Sequence, residues 1–236
     1  MSKQLRLLGL AILAIFAISA IATATASAES PEILPVKENR KFNSKNEAGS
    51  IATLLATGGG EIACTEATDE GEFTGPTLGN VKLDFHGCKS GTTKCHDLVD
   101  TAELILIEAG FHLVDVLLSG VLHLGILILL PALLVHIECG MLLLLLLGDV
   151  IGEANGLTSL TKTSKATFLF TPEKSGVQGE RFCMEPKAVC EPGGKATEFL
   201  LKSVFKKSEE LASEQVNDIV EFLNAKKEAE EVEIHF

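Results

Sequence analysis

The sequence predicts a mainly β protein, an antiparallel β-sandwich or β-barrel that carries short helical turns near its C-terminus and is stapled by disulfides. Three observations predict this class. Apolar and polar residues alternate over residues 80–86, the apolar residues of 104–147 fall in short segments between glycines and prolines, and six cysteines follow an export signal. We expect one β-rich domain over residues 51–236.

The first 28 residues have the organisation of a secretory signal peptide. Lys3 and Arg6 precede an apolar run over residues 7–21, and Ala26-Ser27-Ala28 supplies the small residues that signal peptidase requires. An uncleaved anchor helix would need a longer apolar run and no cleavage site. The mature chain is therefore expected to begin at Glu29, and the protein is expected to be secreted or held in the cell envelope.

The segment behind the cleavage site is polar. Residues 29–50 include Pro31 and Pro35 and show no sustained apolar period, which predicts a flexible leader. A short apolar segment, 51–56, follows and ends at the three glycines of 58–60. Because no Gly-Lys-Ser/Thr sequence comes next, we interpret the glycines as a turn rather than a phosphate-binding loop.

Residues 80–86 give the clearest strand signal in the chain. Their apolar side chains fall at every second position, so one face is apolar and the other is polar. Turns are predicted on both sides, over residues 71–79 and 87–95. The apolar face consists of Val81, Leu83 and Phe85, and the polar face of Lys82, Asp84 and His86.

The middle of the chain is either a buried β core or a membrane span. Residues 116–137 contain no Asp, Glu, Lys or Arg, and a helix of this length would cross a bilayer. However, no Lys or Arg occurs between Lys94 and Lys162 to provide a basic cytoplasmic anchor. Breaks at Gly110, 119–120, Pro131 and Gly140 leave strand-sized segments. We therefore favour a buried β core and keep a membrane anchor over 116–147 as an alternative.

The C-terminal third predicts a further strand at 165–170 and two short helical stretches. Residues 208–214 and 225–231 have helix-forming, charged composition, typical of solvated helical turns. Three apolar clusters also occur here, at 197–205, 216–223 and 232–236.

The six cysteines of an exported chain indicate three disulfides. Cys88 and Cys95 enclose six residues, and so do Cys183 and Cys190. This shared spacing favours two local clips and leaves Cys64 to pair with Cys139. Fifteen connectivities are formally available, so the spacing favours this set without excluding the others.

Several of these features together resemble a group of uncharacterised exported proteins from actinobacteria. The shared features are a lone Cys64, a strand that runs into Gly87-Cys88, a loop closed by Cys95, a long apolar middle that ends in Glu138-Cys139-Gly140, and the motif at 148–152. The resemblance covers most of the mature chain. It implies a secreted, disulfide-containing, mainly β protein, and no activity is attached to the group.

No metal or cofactor motif stands out. His86, Cys88, Cys95 and His96 could supply four zinc ligands, but their spacing fits no common zinc motif and exported thiols pair first. We therefore predict no metal and no cofactor.

Catalytic residues are also not indicated. No Gly-x-Ser-x-Gly elbow occurs, and nothing in the sequence pairs any two of the carboxylates near the apolar middle. Lone histidines in strands more often bond to the backbone than to a ligand. These carboxylates are Glu103, Glu108, Asp115, Glu138 and Asp149, and the histidines are His112, His123 and His136.

Charge and composition exclude some partners. Removing the signal peptide leaves 18 basic and 32 acidic residues, a net charge of −14, which repels nucleic acids and anionic lipids. Trp and Tyr are absent, which argues against stacking on carbohydrate. We predict a non-catalytic structural or interaction protein, with a protein partner or an apolar ligand inside a barrel as alternatives.

Overall fold

The computed structural model of the chain is built from β-strands. It describes residues 31–35, 40–56, 60–98, 103–118, 121–131, 135–157, 160–170, 181–183, 197–198, 202–205 and 208–235, and these contain no helix. The predicted signal peptide, residues 1–28, lies outside them. The strands are β1 (Glu32–Leu34), β2 (Arg40–Asn46), β3 (Ala52–Ala56), β4 (Glu61–Cys64), β5 (Glu66–Phe73), β6 (Leu78–His86), β7 (Lys89–Ser90), β8 (Thr93–Asp97), β9 (Leu104–Leu118), β10 (Val121–Leu129), β11 (Val135–Cys139), β12 (Leu142–Leu147), β13 (Asp149–Ala154), β14 (Thr161–Thr163), β15 (Lys165–Phe170), β16 (Arg181–Cys183), β17 (Thr197–Glu198), β18 (Lys202–Phe205), β19 (Ser208–Leu223) and β20 (Val232–His235).

Eight antiparallel strands close into a barrel in the order β2-β5-β6-β9-β10-β13-β15-β19, and β19 pairs with β2 to complete it. Alternate residues of each strand turn inward, as on β2, where Phe42 and Ser44 are buried and Lys41 and Asn43 are exposed. The predicted mainly β class and the barrel are confirmed.

A second sheet forms a half-barrel beside the first. Its strands run in the order β3-β4-β7-β8-β11-β12-β18, and both outer strands pair with the first half of β19. β19 therefore belongs to both sheets, since residues 216–223 pair within the barrel. The helical turns predicted at 208–214 and 225–231 are wrong: β18 and β3 pair with the first segment and override its local helix preference, and the second forms a non-helical turn.

The two sheets are also joined by one long hairpin that bends. Strands β4 and β5 run antiparallel to β6 and β7, and the register is the same on both sides of the bend. The bend lies at two opposed residues, Thr65 and Gly87. Gly87 has a φ of +62°, and a Cβ there would meet Thr65 Oγ1. The Thr65 hydroxyl donates to the His86 carbonyl at 3.3 Å, so its side chain fills the space that the glycine leaves.

A small third sheet of β1, β20 and β14 packs on the barrel. Ile33 and Ile234 are buried in the same core as the barrel interior, and the Ile33 N–H donates to the Pro76 carbonyl at 3.2 Å. Arg40 donates to the Pro35 carbonyl at 3.1 Å. The structure thus differs from the predicted leader over 29–50: its described residues include β1 and a full barrel strand, β2.

Aromatic side chains fill the barrel beside this sheet. Phe42, Phe73 and Phe111 pack edge to face, with ring centroids 5.0 to 5.7 Å apart. Two of the rings lie over directly opposed glycines, since Phe42 pairs with Gly71 and Phe111 with Gly79. The glycines are required because a side chain at either position would occupy the space of the ring.

The apolar middle forms strands β9 to β12, which confirms its strand character. Along β9 and β10 the apolar run is continuous because residues on both faces of the barrel wall are buried. Val114, Val116, Leu127 and Ile151 form a separate cluster on the face that points away from the main core. No described helix is long and apolar enough to cross a membrane.

The predicted alternation is also confirmed on two strands, although one predicted break is not. On β6, Val81 and Leu83 are buried and Lys82 is exposed, and on β11 the buried residues are Val135, Ile137 and Cys139. Gly110, by contrast, does not end a strand. It lies within the 15 residues of β9, where it pairs with both neighbours.

Two glycines on adjacent strands provide a test of this packing. A Cβ at Gly79 would lie 2.1 Å from the Glu72 carbonyl oxygen, whereas a Cβ at Gly110 would meet nothing closer than 3.8 Å. We expect Gly79→Ala to lower the unfolding free energy by about 2 kcal/mol or more through overpacking, and Gly110→Ala to change it by under about 0.5 kcal/mol. Urea denaturation of both variants measures this, and equal effects would contradict the packing described.

Candidate functional site

The half-barrel places four cysteines in one row across four neighbouring strands. Ala63 pairs with Lys89, so the next position along sets Cys64 opposite Cys88. Lys89 pairs with Lys94, which sets Cys88 opposite Cys95. Cys95 in turn lies opposite Cys139 in the pairing of β8 with β11. We call Cys64, Cys88, Cys95 and Cys139 the cysteine row.

The row forms two disulfides, Cys64–Cys88 and Cys95–Cys139, with Cα atoms 3.9 and 4.2 Å apart. The predicted pairs Cys88–Cys95 and Cys64–Cys139 are therefore wrong. The reason lies in the backbone, because Cys95 donates its N–H to the Cys88 carbonyl at 2.9 Å. An antiparallel residue that bonds one neighbour brings its side chain closest to the neighbour on its other side. Sequence spacing does not reveal which neighbouring strand each cysteine bonds through its backbone.

Of the remaining predicted pair, Cys183–Cys190, the structure describes only Cys183. Cys183 ends β16, whose backbone pairs with β9 at Asp115, while Cys190 lies outside the described residues. The zinc alternative required thiols at Cys88 and Cys95, and both sulfurs are in disulfides. Across the described part of the chain, no three His, Cys, Asp or Glu side chains form a group that could hold a metal ion.

An apolar cavity of about 60 Å³ lies where the barrel interior meets the half-barrel. Aliphatic side chains from both sheets line it almost entirely. The barrel contributes Leu83, Phe85, Ile105, Ile107, Ile128 and Val150, and the half-barrel contributes Ala52, Thr53, Leu54, Ile62, Cys64, Ile137 and Leu146, with Leu130 between them. The cysteine row therefore borders this cavity through Cys64.

The five carboxylates considered from the sequence are not brought together. Glu103 is held by Lys94, with Nζ and Oε1 2.5 Å apart, and this hydrogen bond lowers the pKa of Glu103. Burial raises the pKa of Asp149, although the Leu130 N–H opposes the shift. In the strand register, Glu108 lies opposite Lys82, Asp115 opposite Leu124, and Glu138 opposite His96 and Leu143.

The histidines are likewise separated. His123 Nδ1 lies 3.1 Å from the Glu153 carboxylate on the neighbouring strand β13. His96 Nδ1 contacts the Asp97 carbonyl at 2.6 Å. His112 lies opposite Leu78 and Leu127, His136 opposite Leu145, and His86 opposite Glu66 and Leu104.

A buried polar pair inside the barrel was not predicted. The Ser44 hydroxyl donates to the Asp69 carboxylate from the opposed position on β2, and both residues are buried. Burial raises the pKa of Asp69 to about 6; the Ser44 hydrogen bond opposes this, and the charge of Asp84 adds to it. A sequence signal did exist, since Asp69 has the same alternation phase as Ala67 and Phe73. No described histidine bonds either residue, so the Ser44 hydroxyl has no histidine beside it that could act as a base and make it a nucleophile.

The outer face of the barrel carries a polar groove of about 630 Å³ across β2, β5, β6 and β9. The groove is open at Gly110, which has no side chain to fill it. Its charged lining comprises Lys41, Lys82, Lys227, Glu70, Glu72 and Glu108. This surface offers both signs of charge to a polar partner.

Comparison with known proteins adds no relationship. No family model matches the chain. No curated protein and no solved structure matches it either.

The buried carboxyl of Asp69 predicts a pH dependence of stability. A folded pKa of about 6, above the unfolded value, means that the contribution of Asp69 is fully present below about pH 4 and is lost as the pH rises through 6. A shift of this size corresponds to about 3 kcal/mol. We expect Asp69→Asn to resemble the wild type at pH 4 and to be more stable than it at pH 7.5.

Urea unfolding at both pH values measures the effect of Asp69→Asn. Glu70→Gln, which neutralises the exposed neighbouring carboxylate, is the control. Asp69 would not be the group responsible if the stability difference between Asp69→Asn and the wild type were the same at both pH values.

Proposed function

We propose that this is an exported, non-catalytic β protein that acts as a structural or interaction module outside the cytoplasm. The observation that carries the proposal is the cysteine row, which bridges four adjacent strands with two disulfides. Such bonds persist in oxidising compartments and are rare in the cytosol. The predicted signal peptide over residues 1–28 supports the same location.

The arrangement of titratable groups supports a non-catalytic role. General acid–base work needs two groups within reach of one substrate, in a site that the substrate can enter. Among the described residues, the Asp69 and Ser44 pair is sealed inside the barrel, and Glu103 and Asp149 lie on different parts of the fold. This separation is what we would expect of groups that serve the fold rather than catalysis.

The polar groove supports an interaction role. Its mixture of Lys and Glu side chains suits a polar protein segment with both signs of charge. The chain's net charge of −12 disfavours nucleic acid, whose phosphates would be repelled. We therefore infer a protein partner rather than a nucleic acid or an anionic membrane.

The apolar cavity favours a second function, the binding of an apolar ligand. Its size argues against a whole ligand, because about 60 Å³ is less than half of the roughly 150 Å³ in which a cavity binds benzene. Small-molecule pockets usually measure about 300 to 1,000 Å³. The two sheets would have to separate to admit such a ligand, so this function ranks second. The resemblance to exported actinobacterial proteins remains a prediction.

Expression of the full chain in an exporting bacterial host tests both functions. We expect the protein in the medium or envelope fraction, beginning at Glu29, with the mass of the chain alone in native mass spectrometry. A lipid-like adduct would instead support the ligand-binding function.

Ala28→Phe is the matched control for export, because signal peptidase requires a small residue at this position. The variant should stay uncleaved. Wild-type protein that remains in the cytosol with an intact N-terminus and free thiols would contradict the proposal.

A further inference from the structure

We propose that the cysteine row is an internal thiol–disulfide exchange site, in which a free thiol at Cys88 or Cys95 attacks the neighbouring disulfide and moves the free thiol to the far end of the row. The exchanged form contains a Cys88–Cys95 disulfide. This inference concerns the chemistry of the row and does not depend on the proposed function.

The two middle cysteines are neighbours on adjacent strands. Cys88 and Cys95 are directly opposed and share a backbone hydrogen bond of 2.9 Å. Opposed residues of this kind have Cα atoms about 5.5 Å apart. A disulfide spans Cα separations of about 4.4 to 6.8 Å, which such a pair satisfies, and Cβ separations of about 3.5 to 4.5 Å, so the two Cβ atoms have to approach by about 1 Å for the bond to form.

The row also has the direction that the reaction needs. Exchange proceeds by attack of a thiolate on one sulfur of a disulfide, with the other sulfur leaving on the opposite side. Cys88, Cys95 and Cys139 follow one another across the strands β7, β8 and β11. Attack from Cys88 on Cys95 therefore points towards the leaving sulfur of Cys139. By the same register, attack from Cys95 on Cys88 points towards Cys64.

The reaction balances with one external dithiol reductant. The reductant opens Cys64–Cys88, leaves two thiols there and becomes a disulfide itself. The Cys88 thiolate then bonds to Cys95, the Cys95–Cys139 bond breaks, and the Cys139 thiolate takes up the proton that Cys88 gave away. The products are one Cys88–Cys95 disulfide and thiols at Cys64 and Cys139, so two electrons have been transferred in total.

Burial favours internal exchange over attack by outside thiols. Cys88 and Cys95 are 0% exposed, whereas Cys64 and Cys139 retain 5% and 4%. Cys139 also precedes the tight turn at Gly140, where Met141 is fully exposed. The middle of the row is therefore shielded, and its two ends are the points at which a reductant would enter.

Exchange would change which strands are covalently joined. In the structure, the β7–β8 hairpin is tied to β4 on one side and to β11 on the other. A Cys88–Cys95 bond closes the hairpin on itself and releases both ties. The half-barrel then keeps its backbone pairing and loses its covalent bridges.

Single-cysteine variants test the exchange without any added reductant. In Cys64→Ser, the thiol is initially at Cys88, and we expect it to shift to Cys139 with formation of a Cys88–Cys95 disulfide. In Cys139→Ser, the thiol should shift from Cys95 to Cys64. Alkylation of the folded protein, followed by non-reducing trypsin and Glu-C digestion, reads out both shifts, since Lys82, Lys89, Lys94, Glu103 and Glu138 are cleavage sites that separate the four cysteines.

Cys88→Ser is the matched control. It leaves Cys64 free, and Cys64 is two strands away from Cys95, roughly 10 Å. Its thiol should therefore stay at Cys64. Circular dichroism confirms that each variant is folded, and the two exchanging variants are independent tests if one fails to fold.

The proposal is overturned if the thiol remains at Cys88 in Cys64→Ser and at Cys95 in Cys139→Ser. Equal redistribution in the Cys88→Ser control would also overturn it, because that result would show exchange between unfolded chains. If neither exchanging variant folds, wild-type protein under limiting dithiothreitol decides the matter: absence of a Cys88–Cys95 peptide overturns the proposal, and its presence supports it.

Discussion

The unbroken register of the bent hairpin determines most of this structure. Strands β4 and β5 keep one pairing with β6 and β7 through the bend at Thr65 and Gly87. A slip by one residue would turn every side chain of a strand to the opposite face. The same register sets Phe73 opposite Gly79 in the barrel and Cys64 opposite Cys88 in the half-barrel. One backbone constraint therefore places both a ring of the aromatic core and the first disulfide.

The disulfides outweigh the local packing defect beside them. A cavity of about 60 Å³ corresponds to roughly 1.4 kcal/mol of lost stability at 24 cal/mol per Å³. The Cys64–Cys88 and Cys95–Cys139 loops span 24 and 44 residues, and on the chain-entropy account each contributes about 3 to 4 kcal/mol. The half-barrel can therefore tolerate incomplete filling where it meets the barrel.

Sequence reasoning predicted the strands that bury one face. It failed where backbone hydrogen bonding or a distant strand determines the secondary structure or the disulfide pairing. The alternation of Val81 and Leu83 predicted β6, and the interrupted apolar run predicted the strands of the middle. Strand β2 was missed because two of its inward residues, Arg40 and Ser44, are polar, so its sequence does not alternate between apolar and polar residues. Residues 208–214 were assigned to a helix because their composition is helix-forming and one of their two partner strands, β3, lies far away in sequence. The candidate site was half predicted: the cysteines were identified, but their pairing follows the hydrogen-bonding phase of β7 and β8.

Four of the five buried polar side chains lie on barrel strands, with Asp97 on β8 as the exception, whereas the described disulfides lie in the half-barrel. The barrel contains Arg40, Ser44 and Asp69 at inward positions, and its closed hydrogen bonding and aromatic packing stabilise it without cysteines. The half-barrel depends on β19 to pair both of its outer strands, and it contains all four described disulfide cysteines. A closed barrel leaves no edge from which it could open, whereas the half-barrel would lose the pairing of both its outer strands if β19 moved away. Covalent bonds are therefore found in the sheet whose backbone pairing alone secures it least, which is also the sheet where a change of disulfide partner alters the connections between strands.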